Sequence, residues 1–122
     1  AAKRLGIEMI TSGKGFTWNS KNLNEDAALA QNGWRISREL ISSGDYDIVI
    51  LDEFTYPIKY GWIELKEVVD FLLNRPENVN VIITGRDAQP QLIKISDCVT
   101  NMDEIKHPYN DQGILAQKGI DY

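Results

Sequence analysis

The sequence predicts an α/β fold, a mostly parallel sheet with helices on both faces. Two observations carry that expectation. Short apolar runs alternate with stretches of helical periodicity, the order expected of βαβ units. Two of those runs, 46–51 and 79–84, are rich in β-branched residues and nearly free of polar interruption, as strands covered on both faces are.

The elements follow in order. Residues 7–11 read as a short strand. Asn22 can cap a helix, with Glu25 three positions on in a capping-box relation. Leu23, Ala27, Ala30, Trp34 and Ile41 then recur at helical spacings, and Gly44 suits the left-handed residue that ends a helix. After the strand at 46–51, residues 63–74 form a second helix on Leu65, Val68, Val69, Leu72 and Leu73, which Pro76 forecloses. The strand at 79–84 ends in Gly85-Arg86. A short helix at 89–95, with Pro90 in its first turn, leads to a last strand near 98–102. The tail from 106 to 122 has little periodicity and reads as ordered loop.

With 122 residues, 1–122 is read as a single domain, since domains commonly run to ~100–150 residues. The 43% hydrophobic and 25% charged residues are enough to build a core and argue against disorder. The 13 basic residues are scattered among 18 acidic ones, for a net charge of -5. A polyanion would meet repulsion over most of such a surface, so nucleic acid is excluded as a partner. The longest apolar runs, such as Ile48 to Leu51, fall far short of the ~20 residues that span a bilayer, so no membrane helix is expected. A single cysteine, Cys98, rules out an intrachain disulfide and fits a reducing cytoplasm. The start, Ala1-Ala2-Lys3-Arg4, has neither an initiator Met nor an apolar h-region; it reads as a truncated start rather than a signal peptide.

In parallel sheets ligands bind beyond the carboxyl ends of the strands. There the chain places Ile48-Val49-Ile50-Leu51-Asp52-Glu53, four buried-type residues followed by two carboxylates, the form of a Walker B strand. Mg²⁺ prefers oxygen ligands, and one or two carboxylates suffice when phosphates supply others. A strand ending in an ordinary acidic turn would look the same. No G-x-x-x-x-G-K-[ST] loop occurs, and Ser12-Gly13-Lys14-Gly15 reads as a flexible turn, because no helical periodicity follows until Asn22. Phe16 and Trp18, two apart, project to one side if extended, either capping the core or forming a stacking wall for a flat ligand. Arg86 can bind phosphate or pair with Asp87. Cys98 reads as an inert core thiol, and the lone His107 is assigned no catalytic role.

In combination, Gly15-Phe16-Thr17-Trp18, Leu51-Asp52-Glu53-Phe54-Thr55-Tyr56, Arg75-Pro76, Val81-Ile82-Ile83-Thr84-Gly85-Arg86, Lys106-His107 and Gly119-Ile120-Asp121-Tyr122 resemble the ATP:corrinoid adenosyltransferases of the CobA/BtuR/CobO type. The likeness runs over nearly the whole chain. It implies a P-loop NTPase (RecA-like) fold, incomplete at the N-terminus, and transfer of the 5′-deoxyadenosyl group of ATP to Co(I) of a corrinoid. By position it implies that Phe16 and Trp18 pack against the corrin, that Glu53 and Asp52 hold Mg²⁺ with the triphosphate, and that Arg86 contacts phosphate. A cobalamin- or cobinamide-type corrinoid, a flavoprotein reductant, a homodimer and a cytoplasmic location come with it. Family members carry a Gly-rich loop with the triphosphate-gripping Lys and Thr, which this sequence lacks, so weak ATP binding and slow turnover are expected of the chain alone. Two alternatives stand beside this reading: a non-catalytic corrinoid-binding or dimerisation module, and an unrelated RecA-like ATPase fragment.

Overall fold

The computed structural model describes residues 2–12 and 23–119. After a short 3-10 turn at Ala2–Leu5 come α1 (Leu23–Ser43), β1 (Ile48–Leu51), α2 (Thr55–Lys59), α3 (Leu65–Leu73), β2 (Asn80–Ile83), α4 (Pro90–Ile95) and α5 (Pro108–Gln112). The two strands pair in parallel, with Ile48 opposite Asn80 and Leu51 opposite Ile83. Parallel neighbours need a long crossover, and α2 and α3 supply it.

Helix α1 forms where the apolar spacing places it. Glu25 and Asp26 stand in its first turn, where negative charge favours the positive end of the helix dipole. Trp34 and Ile41, seven residues apart, are buried on one face. Gly44 ends the helix at φ 70, its N–H donating to the Ile41 carbonyl. The expected Asn22 cap lies outside the described residues.

The core collects on one face of the sheet. Trp34, Leu51, Phe54, Ile58, Ile63, Val68, Leu72 and Leu92 form a single buried cluster, and Val49, Val81 and Ile83 pack against it. The Trp34 ring lies 5.1 Å from that of Phe54 and 5.3 Å, edge-on, from that of Phe71. Its indole N–H is not stranded: it donates to Glu67, which also pairs with Arg38 at 2.7 Å. Phe54 follows the two rim carboxylates in sequence, so the same aromatic plug that fills the core anchors the turn that carries them.

Three sequence expectations are corrected. Helices on both faces were expected, but Ile48, Ile50 and Ile82 stand exposed on the second face among the described residues. Residues 7–11 and 98–102 form no ladder; Met9 and Met102 are 74% and 91% exposed. Strand-type residues make a strand only when a neighbouring strand takes up their backbone bonds, and among the described residues none does. Cys98 is exposed rather than in the core.

Two short helices went unforeseen. In α2, Pro57 sits in the first turn, where its missing N–H costs nothing. In α5, the ring nitrogen Nδ1 of His107 accepts from the N–H groups of Tyr109 and Asn110, while the Asp111 carboxylate accepts from the His107 N–H. His107 is thus a helix cap, and Gly113 closes the turn at φ 66. Arg75 also has a structural task. Its guanidinium donates to the carbonyls of Leu72 and Val79, tying the end of α3 to the start of β2.

Candidate functional site

The carboxyl ends of β1 and β2 are fastened together by a short set of bonds centred on Thr84. The ladder runs on past Ile83: the Thr84 N–H donates to the Leu51 carbonyl at 3.1 Å, and the Thr84 carbonyl accepts from the Phe54 N–H at 3.0 Å. The Thr84 hydroxyl donates to Asp52 Oδ1 at 2.7 Å and accepts from the Glu53 N–H at 2.9 Å. Register explains the meeting, because Leu51 lies opposite Ile83 and the next residues are Asp52 and Thr84.

Glu53 adopts φ 53, a left-handed backbone that costs a residue bearing a Cβ about 1–3 kcal/mol and persists only where its surroundings impose it. The Thr84 hydroxyl on its N–H, Phe54 buried behind it and the Tyr56 N–H on its carbonyl impose it here. Asp87 is left-handed too, at φ 52, so an acidic residue sits in strained backbone beyond each strand.

Gly85 joins the two turns sterically. Its φ is 149, and a Cβ built there would stand 2.0 Å from Thr55 Oγ1. Thr55 opens α2 and is fully buried, and its hydroxyl finds no hydrogen-bond partner among the described residues. The Gln89 amide donates to the Thr55 carbonyl at 3.3 Å, which brings the start of α4 to the same place.

Asp87 pairs with Lys59 of α2 at 2.8 Å, which leaves Arg86 as an exposed cation at the rim. The Lys59 ammonium holds the Asp87 carboxyl below its ordinary value of 3.8, and Asp87 holds Lys59 above 10.5. A depressed Asp87 stabilises the fold above its unfolded pKa, and that support is lost as pH falls through the folded value. A raised Lys59 stabilises below its unfolded pKa and is lost as pH rises through the folded value. The pair therefore contributes throughout the window between 3.8 and 10.5. Replacing Lys59 by Met is expected to move the Asp87 carboxyl titration, followed by NMR, upward toward the ordinary range. An unmoved midpoint would show that the pair does not form in solution.

Of the residues singled out in the sequence, Asp52, Glu53 and Arg86 lie on this rim, all exposed. Phe16 and Trp18 lie outside the described residues. Thr84 as the link between the carboxylates, Thr55 and Lys59 were not singled out in the sequence; Asp87 was, as a partner for Arg86, and it pairs instead with Lys59. One signal was available for Thr84: laying the two apolar runs side by side in parallel places Asp52 across from it.

Two exposed carboxylates, one already oriented by a hydroxyl, offer the hard oxygen donors that Mg²⁺ takes when phosphates and water complete its shell. The described residues hold no group of three or more His, Cys, Asp or Glu that could bind a metal by protein ligands alone. The donor set fits a shared, phosphate-completed ion and not a closed metal site. An open hollow of about 340 Å³ between α1 and α3, lined by Gln31, Trp34, Arg38, Trp62 and Glu67 among others, does not include these carboxylates. No described helix is long and apolar enough to cross a membrane.

Comparison with known proteins agrees with the motif order. The chain is 39% identical over 116 residues to a corrinoid adenosyltransferase of Sinorhizobium sp, a match covering 94% of this chain and 54% of that protein. It is 37% identical over 117 residues to the corrinoid adenosyltransferase of Escherichia coli K12, covering 96% and 59%. It is 38% identical over 110 residues to that of Pseudomonas aeruginosa, covering 90% and 54%. The chain thus spans a little over half the length of these relatives. The family model for ATP:corrinoid adenosyltransferase BtuR/CobO/CobP matches residues 1–122, and the chain belongs to that family.

Proposed function

We propose that the protein takes part in transferring the 5′-deoxyadenosyl group of ATP to Co(I) of a corrinoid, with Asp52 and Glu53 as the seat of the Mg²⁺ that accompanies the triphosphate. The observation that carries this reading is the carboxylate pair, held by Thr84 at the carboxyl ends of two paired parallel strands, in a chain that the family matches throughout. That placement is the one expected of a P-loop NTPase fold of the RecA-like kind, with 1–122 contributing one domain or part of one.

The reaction sets the demands. The Co(I) lone pair forms a bond to C5′ as the C5′–O bond breaks, and triphosphate leaves with the bonding pair. Mg²⁺, when bound, neutralises charge on that leaving group. The chain's own residues do the rest. Asp52 and Glu53 present oxygen donors at a fixed rim. Arg86 stands two residues beyond Thr84 and offers a planar cation to phosphate. Phe16 and Trp18 pack against the corrin face, excluding water and axial ligands so that cobalt is reduced more easily. No G-x-x-x-x-G-K-[ST] loop lies within 1–122, so the 122 residues on their own hold triphosphate weakly. A second reading is a corrinoid-binding module without nucleotide chemistry. A homodimer, a cytoplasmic location and a flavoprotein electron donor complete the proposal.

EPR of cob(II)alamin mixed with the protein, with and without ATP and Mg²⁺, separates the two. A four-coordinate Co(II) signal that requires ATP, and that is lost in Phe16→Ala and Trp18→Ala, is the expected result. Corrinoid binding that ignores ATP would favour the module instead.

A further inference from the structure

We propose that Thr84 is a positioning residue for the metal–triphosphate seat, acting through Asp52 and the backbone of Glu53; this rests on the reading of that carboxylate pair given above. A hydroxyl has a single proton, and the Thr84 proton is committed to Asp52 Oδ1 at 2.7 Å. Its oxygen is then free to accept, and it takes the Glu53 N–H at 2.9 Å. One side chain therefore performs two tasks. It fixes the Asp52 carboxylate by one oxygen and leaves Oδ2 outside that bond. It also holds Glu53 in its left-handed backbone, φ 53.

The second task matters because neighbours along an extended strand point to opposite faces. A left-handed residue directly after Asp52 breaks that alternation and lets both carboxylates serve one rim. Thr84 is rigid enough to impose this, since its own N–H and carbonyl are bonded to Leu51 and Phe54 on the opposite strand end. Groups that orient metal ligands in this way typically change metal affinity 10–100-fold when removed.

The test uses Mn²⁺ with ATP as the probe, with free Mn²⁺ read by EPR during titration of the protein, and the metal dependence of adenosyl transfer measured beside it. Thr84→Val keeps the shape and removes both bonds; Thr84→Ser keeps the hydroxyl. The expected result is about a 10–100-fold weaker hold on Mn²⁺ in the Val variant, with turnover largely restored by excess metal, and binding within about threefold of the parent in the Ser variant. Equal binding by the parent and the Val variant, or a Ser variant as weak as Val, overturns the proposal. Thr84→Ala is the second hydroxyl-free variant. If it and the Val variant are both too unstable to titrate, Thr84 serves stability and the proposal also fails. Asp52→Asn runs in parallel. If it too leaves Mn²⁺ binding unchanged, the reading of the carboxylate pair falls and takes this inference with it. If it weakens binding and Thr84→Val does not, the Thr84 role alone is lost.

Discussion

Replacing Asp52 by Asn is expected to slow adenosyl transfer by about 10²–10³-fold relative to the unsubstituted protein while moving the melting temperature by no more than about 3 °C. The substitution is nearly isosteric. The Asn carbonyl oxygen can still accept from the Thr84 hydroxyl, so the bond that organises the turn survives. Asp52 is exposed, and the core cluster does not depend on it. What disappears is one negative charge at the place where the proposed Mg²⁺–triphosphate complex would bind. Activity and stability should therefore separate. Steady-state rates with cob(I)alamin, together with a thermal melt, provide the check. A rate within threefold of the parent would remove Asp52 from the site.

The second large effect is structural and acts through the site. Gly85→Ala places a Cβ 2.0 Å from Thr55 Oγ1 and 2.9 Å from both Thr55 Cβ and Cγ2, at a φ of 149 that side chains rarely adopt. Thr55 is buried at the head of α2 and has little room to withdraw. Overpacking of this kind costs about 1–3 kcal/mol, and the backbone strain adds about as much. A loss of about 3 kcal/mol is expected, which for a chain of this size is a fall of about 10 °C in melting temperature. The double variant Thr55→Ala/Gly85→Ala should regain the steric share and not the backbone share. Activity should fall with stability in the single variant, because Thr84 and Arg86 flank the displaced glycine. Denaturant melts of the three proteins resolve the shares, and an unchanged midpoint for Gly85→Ala would mean that the close contact does not exist in solution.

The elements that sequence placed well are those whose signal is internal to the element. Helix α1 and helix α3 announce themselves by apolar spacing and by Gly44 and Pro76 beyond their ends; β1 and β2 do so by β-branched runs. The failures share a cause. Residues 7–11 and 98–102 have strand composition, yet a strand is a relation between two segments, and among the described residues no partner ladder forms for them. Helices α2 and α5 are five residues each, too short for periodicity, and are set instead by Pro57 near the start of one and by the His107–Asp111 cap of the other. The site was half legible. A carboxylate pair after an apolar run is visible in one line of sequence. The Thr84 hydroxyl that organises it comes from the other strand and emerges only with the register. Lys59 and Asp87 are 28 residues apart, and neither carries a motif.

We place the meeting of nucleotide and corrinoid at the rim formed by the ends of β1 and β2. A crystal structure of the protein with ATP, Mg²⁺ and cob(II)alamin bound tests this most directly. It should show the metal in direct or water-mediated contact with Asp52 or Glu53, phosphate within reach of Arg86, and the rings of Phe16 and Trp18 against the corrin on that same side. Triphosphate density away from Asp52 and Glu53, or a corrin on the opposite side of the molecule from them, would contradict it.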